Sequence, residues 1–187
     1  MVVSSIPNLN GSPILWWHRG LAPNLSGIGE PFSYNIAMNA IDIETIQKQV
    51  LQLLPTGEHN RRGALLADSC SEVSRLVASW IKEMDESMQA IILKGDNVCH
   101  TQKSHDILAI GTKDTQFYLL DSTVWQFFPD DDSILIGVAD SLDEAIKLSV
   151  EKYGGEWKIS EEIATATEQE KADWLRIIKT NINDSMI

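Results

Sequence analysis

Cys70, His105 and Asp121 stand in this order along the chain, and together their types can do nucleophilic acyl chemistry. Cys70 falls in the stretch ADSCSEVSRLVASW, residues 67–80, at the first turn of an expected amphipathic helix. Unpaired backbone N–H groups and the helix dipole favour a negative group there. A thiol so placed is poised to ionise, and the thiolate is the nucleophile. It still needs a base that takes its proton and later protonates the leaving group. His105 opens an apolar strand, and Asp121 lies near the end of the strand expected to pair with it. A carboxylate there would hold the imidazole tautomer and stabilise its cation.

Whether His105 and Asp121 meet depends on the hairpin between HDILAIG and QFYLLDS, whose turn falls in TKDT. An odd loop, such as residues 112–114, puts His105 opposite Asp121, Ile107 opposite Leu119 and Ala109 opposite Phe117. Opposed Cβ atoms then lie about 4.5–5.5 Å apart. A two-residue turn at Lys113 and Asp114 would set His105 opposite Ser122 and send Asp121 to the other sheet face. The triad therefore requires an odd loop.

The surrounding pattern supplies the elements that would carry these residues. DIETIQKQVLQLLP, residues 42–55, reads as a helix with a stripe of Ile43, Ile46, Val50, Leu53 and Leu54, ended by Pro55. TGEHNRRG reads as a polar loop. The Cys70 helix has Ser69 and Glu72 at capping-box spacing, with Val73, Leu76, Val77, Trp80, Ile81 and Met84 on its buried face. Residues 89–94 and 133–139 read as strands. SLDEAIKLSVEKYGG reads as a helix capped by Ser141 and Glu144 and stopped at Gly154; its stripe is Leu142, Ala145, Ile146, Ser149, Val150 and Tyr153. A last helix starts at Thr167 and Glu170 and carries Trp174, Leu175, Ile178 and Ile182. Helices, then strands, then helices imply an α+β fold with an antiparallel sheet. Residues 1–40, rich in Asn, Gly, Pro and Ser and carrying Trp16 and Trp17, read as an irregular N-terminal arm, and residues 41–187 as one catalytic domain.

The chain has 187 residues, enough for a core without staples. Two cysteines make no disulfide framework. A net charge of −12 argues against capture of nucleic acid or an anionic membrane and leaves a protein or peptide substrate as the expected partner. No apolar run reaches membrane-spanning length, and the first residues lack a basic, then apolar, secretory pattern. The expected location is cytoplasmic, or a target cell reached through a specialised secretion system. No cofactor is called for, and oligomeric state is not indicated.

The order of a helix-borne Cys, a strand-opening His and then FYLLDSTVWQF resembles the papain-like and transglutaminase-like cysteine enzymes. The segment from residue 69 to 128 is most similar to bacterial papain-fold toxins and effectors that deamidate glutamine. The resemblance implies a papain-like fold, with Cys70 as nucleophile, His105 as general base and acid, and Asp121 as the orienting carboxylate. It also implies an amide substrate: a glutamine side chain in a deamidase or transglutaminase, a peptide bond in a protease. DSCSEV shares a shorter likeness with the NlpC/P60 cell-wall peptidases, whereas the aspartate-bearing strand favours the transglutaminase-like side. Papain carries a glutamine shortly before its cysteine that helps hold the oxyanion. RRGALLADS has no amide here, and Asn60 and Gln52 lie further upstream. The backbone N–H of Cys70 is then the expected donor.

Blander assignments compete for the same residues. Cys70 is in helical step with Val73 and Val77 and could be a core cysteine. Cys99, His100 and His105 lack the paired spacing of a zinc site. PDDDS, residues 129–133, reads as a solvated acidic turn without the ligand pattern of a calcium loop. Packing is the default for Trp125, with Gln126 beside it on an extended strand; a cleft-lining role would follow if that strand continued. A non-catalytic interaction module is the alternative from a different class.

Overall fold

The structure is a computed structural model that describes residues 42–112 and 116–187; the expected arm over residues 1–40 lies outside the described residues. The described chain is α+β. A five-stranded antiparallel sheet is built from β1 (Gln89–Asp96), β2 (His105–Gly111), β3 (Phe117–Leu120), β4 (Leu135–Ala139) and β5 (Glu156–Glu162), in the order β4-β3-β2-β1-β5. Helices α1 (Ile43–Leu51), α2 (Arg62–Leu65) and α3 (Cys70–Met84) precede the sheet in the chain; α4 (Leu142–Tyr153) and α5 (Glu168–Asp184) flank β5.

Apolar residues on both sheet faces are covered. Ala90, Ile92, Leu108, Ile110 and Leu120 pack with Ile46, Val73, Leu76, Val77, Ile178 and Ile182 of α1, α3 and α5. Ile91, Leu93, Ile107, Ala109 and Leu119 pack with Ala145 and Tyr153 of α4. β2 is buried along its whole length, which explains its unbroken apolar reading.

Several elements differ from expectation for local reasons. α1 stops at Leu51 rather than running to Pro55, and Leu53 and Leu54 bond back three residues in a tighter turn. The residue before a proline avoids the α region. TGEHNRRG is not all loop: a 3-10 turn (His59–Arg61) leads into α2, so that Leu65 and Leu66 reach the core. Ser69 is the N-cap of α3, but its side chain caps nothing; its Oγ accepts instead from Asn181 Nδ2 of α5 at 3.0 Å. Met84, placed on the buried face by periodicity, is half exposed at the helix end, as is Val150 on α4. Ser141 does cap α4 through the Glu144 N–H, but the Glu144 carboxylate bonds Asp140 N rather than closing the box. The Thr167–Glu170 box forms in full.

β5 was not expected. EWKISEE buries little besides Trp157 and holds its place by pairing with β1 at the sheet edge. Polar edge strands of this kind carry almost no alternation signal.

Candidate active site

The β2–β3 ladder pairs Leu108 with Leu120, Ala109 with Leu119 and Ile110 with Tyr118. Each expected pair is displaced by two residues. A shift of two preserves sheet face, so Asp121 stays on the side of His105 and reaches it diagonally. His105 Nε2 lies 2.8 Å from Asp121 Oδ2, and both side chains are wholly buried.

Asp121 is fixed from four directions. β3 ends before it, and its N–H donates to Ile134 O at 2.8 Å. Its Oδ1 accepts from Thr123 N at 2.9 Å and from Thr123 Oγ1 at 3.3 Å, an Asx-type turn that starts the 3-10 turn Val124–Gln126. Its Oδ2 accepts from Tyr153 Oη at 2.5 Å as well as meeting His105. Tyr153 is the last residue of α4. Its helical spacing marked it as core, and nothing in the sequence distinguishes a packing tyrosine from one that donates to a buried carboxylate.

Aromatic rings enclose the imidazole. Phe127 meets it edge-on at 4.9 Å between centroids, Tyr153 lies at 5.5 Å and Trp157 at 6.5 Å. Trp157 gets there over Gly95, which pairs with His105 on one side and Trp157 on the other. A Cβ on Gly95 would sit 2.5 Å from the indole. The residue type is set by that close approach.

Charge follows from this enclosure. Burial alone would lower the His105 pKa; the Asp121 carboxylate, by charge and hydrogen bond, and the Cys70 side chain outweigh it and push it up to about 10. Burial likewise opposes ionisation of Asp121, but His105 and the donors from Tyr153 and Thr123 hold its carboxyl below the ordinary carboxylate range. Burial, then the neighbouring Asp121, raises the Tyr153 hydroxyl far above its usual value, so it stays a donor.

Cys70 is the first residue of α3 and is partly exposed. Asp121 occupies Nε2, so Nδ1 is the ring nitrogen left for the thiol. Nδ1 is buried and has no aligned hydrogen-bond partner, while Cys70 is close enough to contribute to the raised proton affinity of the ring. His105 lies on the α4 side of the sheet and Asp106 on the α3 side, so the site straddles the strand end. The packing of α3 against that end brings Cys70 to His105.

The second cysteine is nearby and different. Cys99 sits at φ 50° in the bend between β1 and β2, where Asn97 and His100 also adopt left-handed backbone. Burial, then the Asp121 charge, pushes its thiol up, with Lys152 opposing. Among the described residues no group of three His, Cys, Asp or Glu is arranged to hold a metal ion. PDDDS is a structured turn: Asp131 pairs with Lys152 at 2.8 Å, and its carbonyl accepts from Trp125 Nε1 and Arg62.

Trp125 and Gln126 do not continue β3; they occupy the 3-10 turn. Both nevertheless line a cleft of about 500 Å³ with Asn60, Ala67, Lys103 and Phe127 among its walls. Gly63, also on the wall, allows the chain to pass against Trp125 O, 2.2 Å from where a Cβ would stand. Of the upstream amides, Asn60 lies in this cleft and Gln52 ends α1, exposed; the Gln126 amide donates to Leu66 O at 2.7 Å.

Among the described residues no helix is long and apolar enough to cross a membrane. Comparison with known proteins finds no matching family model, no matching curated protein and no matching solved structure.

Proposed function

We infer that the chain is a cysteine-dependent amide hydrolase of papain-like type, with Cys70, His105 and Asp121 as its triad and a protein glutamine side chain as its preferred amide. The observation that carries this reading is the fully buried 2.8 Å contact between His105 Nε2 and Asp121 Oδ2, which leaves a partnerless Nδ1 beside Cys70. A histidine serving only the core would have both nitrogens satisfied or one facing water. The resemblance in residue order supplies the choice of glutamine.

In the proposed reaction the thiol proton already resides on Nδ1, as the raised proton affinity of the ring requires, and Asp121 stabilises the imidazolium. Sγ attacks the amide carbonyl carbon, and the carbonyl electron pair moves to oxygen, which backbone donors at the α3 N-terminus hold. The tetrahedral species collapses, the C–N bond breaks, and the Nδ1 proton leaves with ammonia. Water, deprotonated by His105, then cleaves the thioester, giving a glutamate side chain and restoring the thiol. A peptide-bond substrate would release an amine by the same path, and an amine in place of water would give transglutamination.

The test is alkylation of Cys70 by iodoacetamide across pH 5–9 in a Cys99→Ser background, comparing wild type with His105→Ala. Labelling at pH 6 should fall at least tenfold without His105, and ammonia release from glutamine-containing protein should vanish in Cys70→Ala. Labelling that is indifferent to His105 would sink the enzyme reading.

A further inference from the structure

The cleft beside the pair has a charge opposite to that of the molecule. The chain carries 27 acidic and 15 basic residues, for a net charge of −12. Among the described residues the cleft wall, in contrast, holds Arg61 and Lys103 and no carboxylate. Arg61 is offset by Glu58 at 3.4 Å and donates to Ser185 O. Lys103 is exposed and has no ion pair among the described residues. The remaining wall suits an extended peptide: Trp125 and Phe127 give apolar surface, and the Asn60 amide gives a polar contact.

The position of this cleft ties it to the chemistry. Lys103 lies two residues before His105, and Ala67 lies three before Cys70. Phe127 is shared, forming part of the cleft and packing edge-on against the imidazole. A substrate chain whose amide reached Cys70 would lay its neighbouring residues along this wall.

We propose that the cleft lined by Lys103, Arg61, Trp125 and Phe127 is a substrate subsite that selects an acidic side chain next to the target amide. The inference rests on the Cys70–His105 pair being the reacting centre. Against a background of −12, a cation without an ion pair in a concave wall concentrates the local field on an incoming anion. Neutral and basic peptides gain nothing from it and meet the overall field of the protein only at longer range.

The experiment uses the full chain in the Cys99→Ser background and reads two rate constants at Cys70, one for anionic iodoacetate and one for neutral iodoacetamide. Their ratio cancels changes in thiol reactivity. At low salt, Lys103→Glu should lower the iodoacetate-to-iodoacetamide ratio about threefold or more, and about 0.5 M salt should largely erase the difference. Lys147→Glu on α4, outside the cleft wall, makes the same change in net charge and should leave the ratio where it was. A glutamine peptide flanked by glutamates should protect Cys70 from iodoacetamide, and its lysine-flanked counterpart should not.

The failures are separable. A ratio equal in wild type and Lys103→Glu, with labelling still dependent on His105, overturns the acidic-subsite inference and leaves the catalytic pair standing. Equal protection by both peptides does the same. Labelling indifferent to His105, or a Cys70 that reacts with neither reagent, removes the reacting centre, and the subsite falls with it.

Discussion

Ser71 Oγ donates to Asp106 Oδ2 at 2.6 Å, and each stands one residue past a member of the proposed pair, Cys70 and His105. The link does not end there. Ser74 Oγ donates to Asp106 O at 3.2 Å, and Arg75 reaches both Ser71 Oγ and Glu161 of β5. Asp106 is almost fully buried, so these bonds act where water competes little. The clamp fixes the first turn of α3 against the start of β2, the two points from which the thiol and the imidazole project.

Asp106→Ala should therefore act on geometry as well as stability. It removes the acceptor of the Ser71 hydroxyl, which keeps only its bond from Arg75, and should cost about 1–3 kcal/mol in urea unfolding. The ratio of Cys70 alkylation between this variant and its His105→Ala double should shrink towards one, because the thiol no longer meets the ring. Asp106→Asn keeps an acceptor oxygen and should restore much of the ratio. A variant that lost stability but kept full dependence on His105 would show the clamp to be structural alone.

Tyr153→Phe removes one donor from a buried carboxylate without changing ring packing. Tyr153 is among the groups that hold the Asp121 pKa down. A carboxyl with a lowered folded pKa contributes stability above its unfolded value and loses it as pH falls through the folded one. Removing the donor raises the folded pKa, so acid unfolding of the variant should begin at higher pH than in wild type. At neutral pH the cost should be about 1–3 kcal/mol. Circular dichroism through an acid titration reads both, and coincident acid transitions would refute the coupling.

The places of Cys70, His105 and Asp121 in the fold were legible because all three fall at element boundaries that local pattern marks well. Sheet face depends only on whether a register shift is odd or even, and the observed shift is two, so Asp121 stays on the face of His105. The exact register was not legible, since it depends on the loop between β2 and β3. What surrounds the pair was not legible either. Tyr153, Phe127 and Trp157 come from three elements whose meeting is a property of the sheet order, and the β5 carrying Trp157 has almost no apolar alternation to betray it. Ser69 misled for a related reason. Its spacing to Glu72 satisfies a local rule, but a tertiary partner, Asn181, takes the hydroxyl.

Gly95 offers a direct check on the aromatic enclosure. Gly95→Ala places a methyl within 2.5 Å of the Trp157 ring carbons, which have no room to yield between Gly95 and His105. Overpacking of this sort costs about 1–3 kcal/mol. The indole should be displaced, red-shifting tryptophan emission. A double variant with Trp157→Ala should recover part of the loss, because the added methyl then meets empty space. Additive losses in the double variant would show that the two residues do not share the contact.

The pH dependence of stability isolates the buried His105–Asp121 pair. His105 is raised from 6.5 to about 10 in the folded chain. A group with a raised folded pKa binds its proton more tightly when folded, so its contribution is fully present below about pH 6.5 and is lost as pH rises through about 10. His105→Gln preserves a donor for Asp121 but cannot titrate. The stability gap between wild type and His105→Gln should be flat from pH 5 to 6.5, narrow steadily above it, and lose at most a few kcal/mol by pH 10. Urea unfolding at half-unit steps measures the gap directly. A gap that instead widened with pH would mean that the folded imidazole is the neutral form, and Asp121 would then orient His105 without stabilising a cation on it.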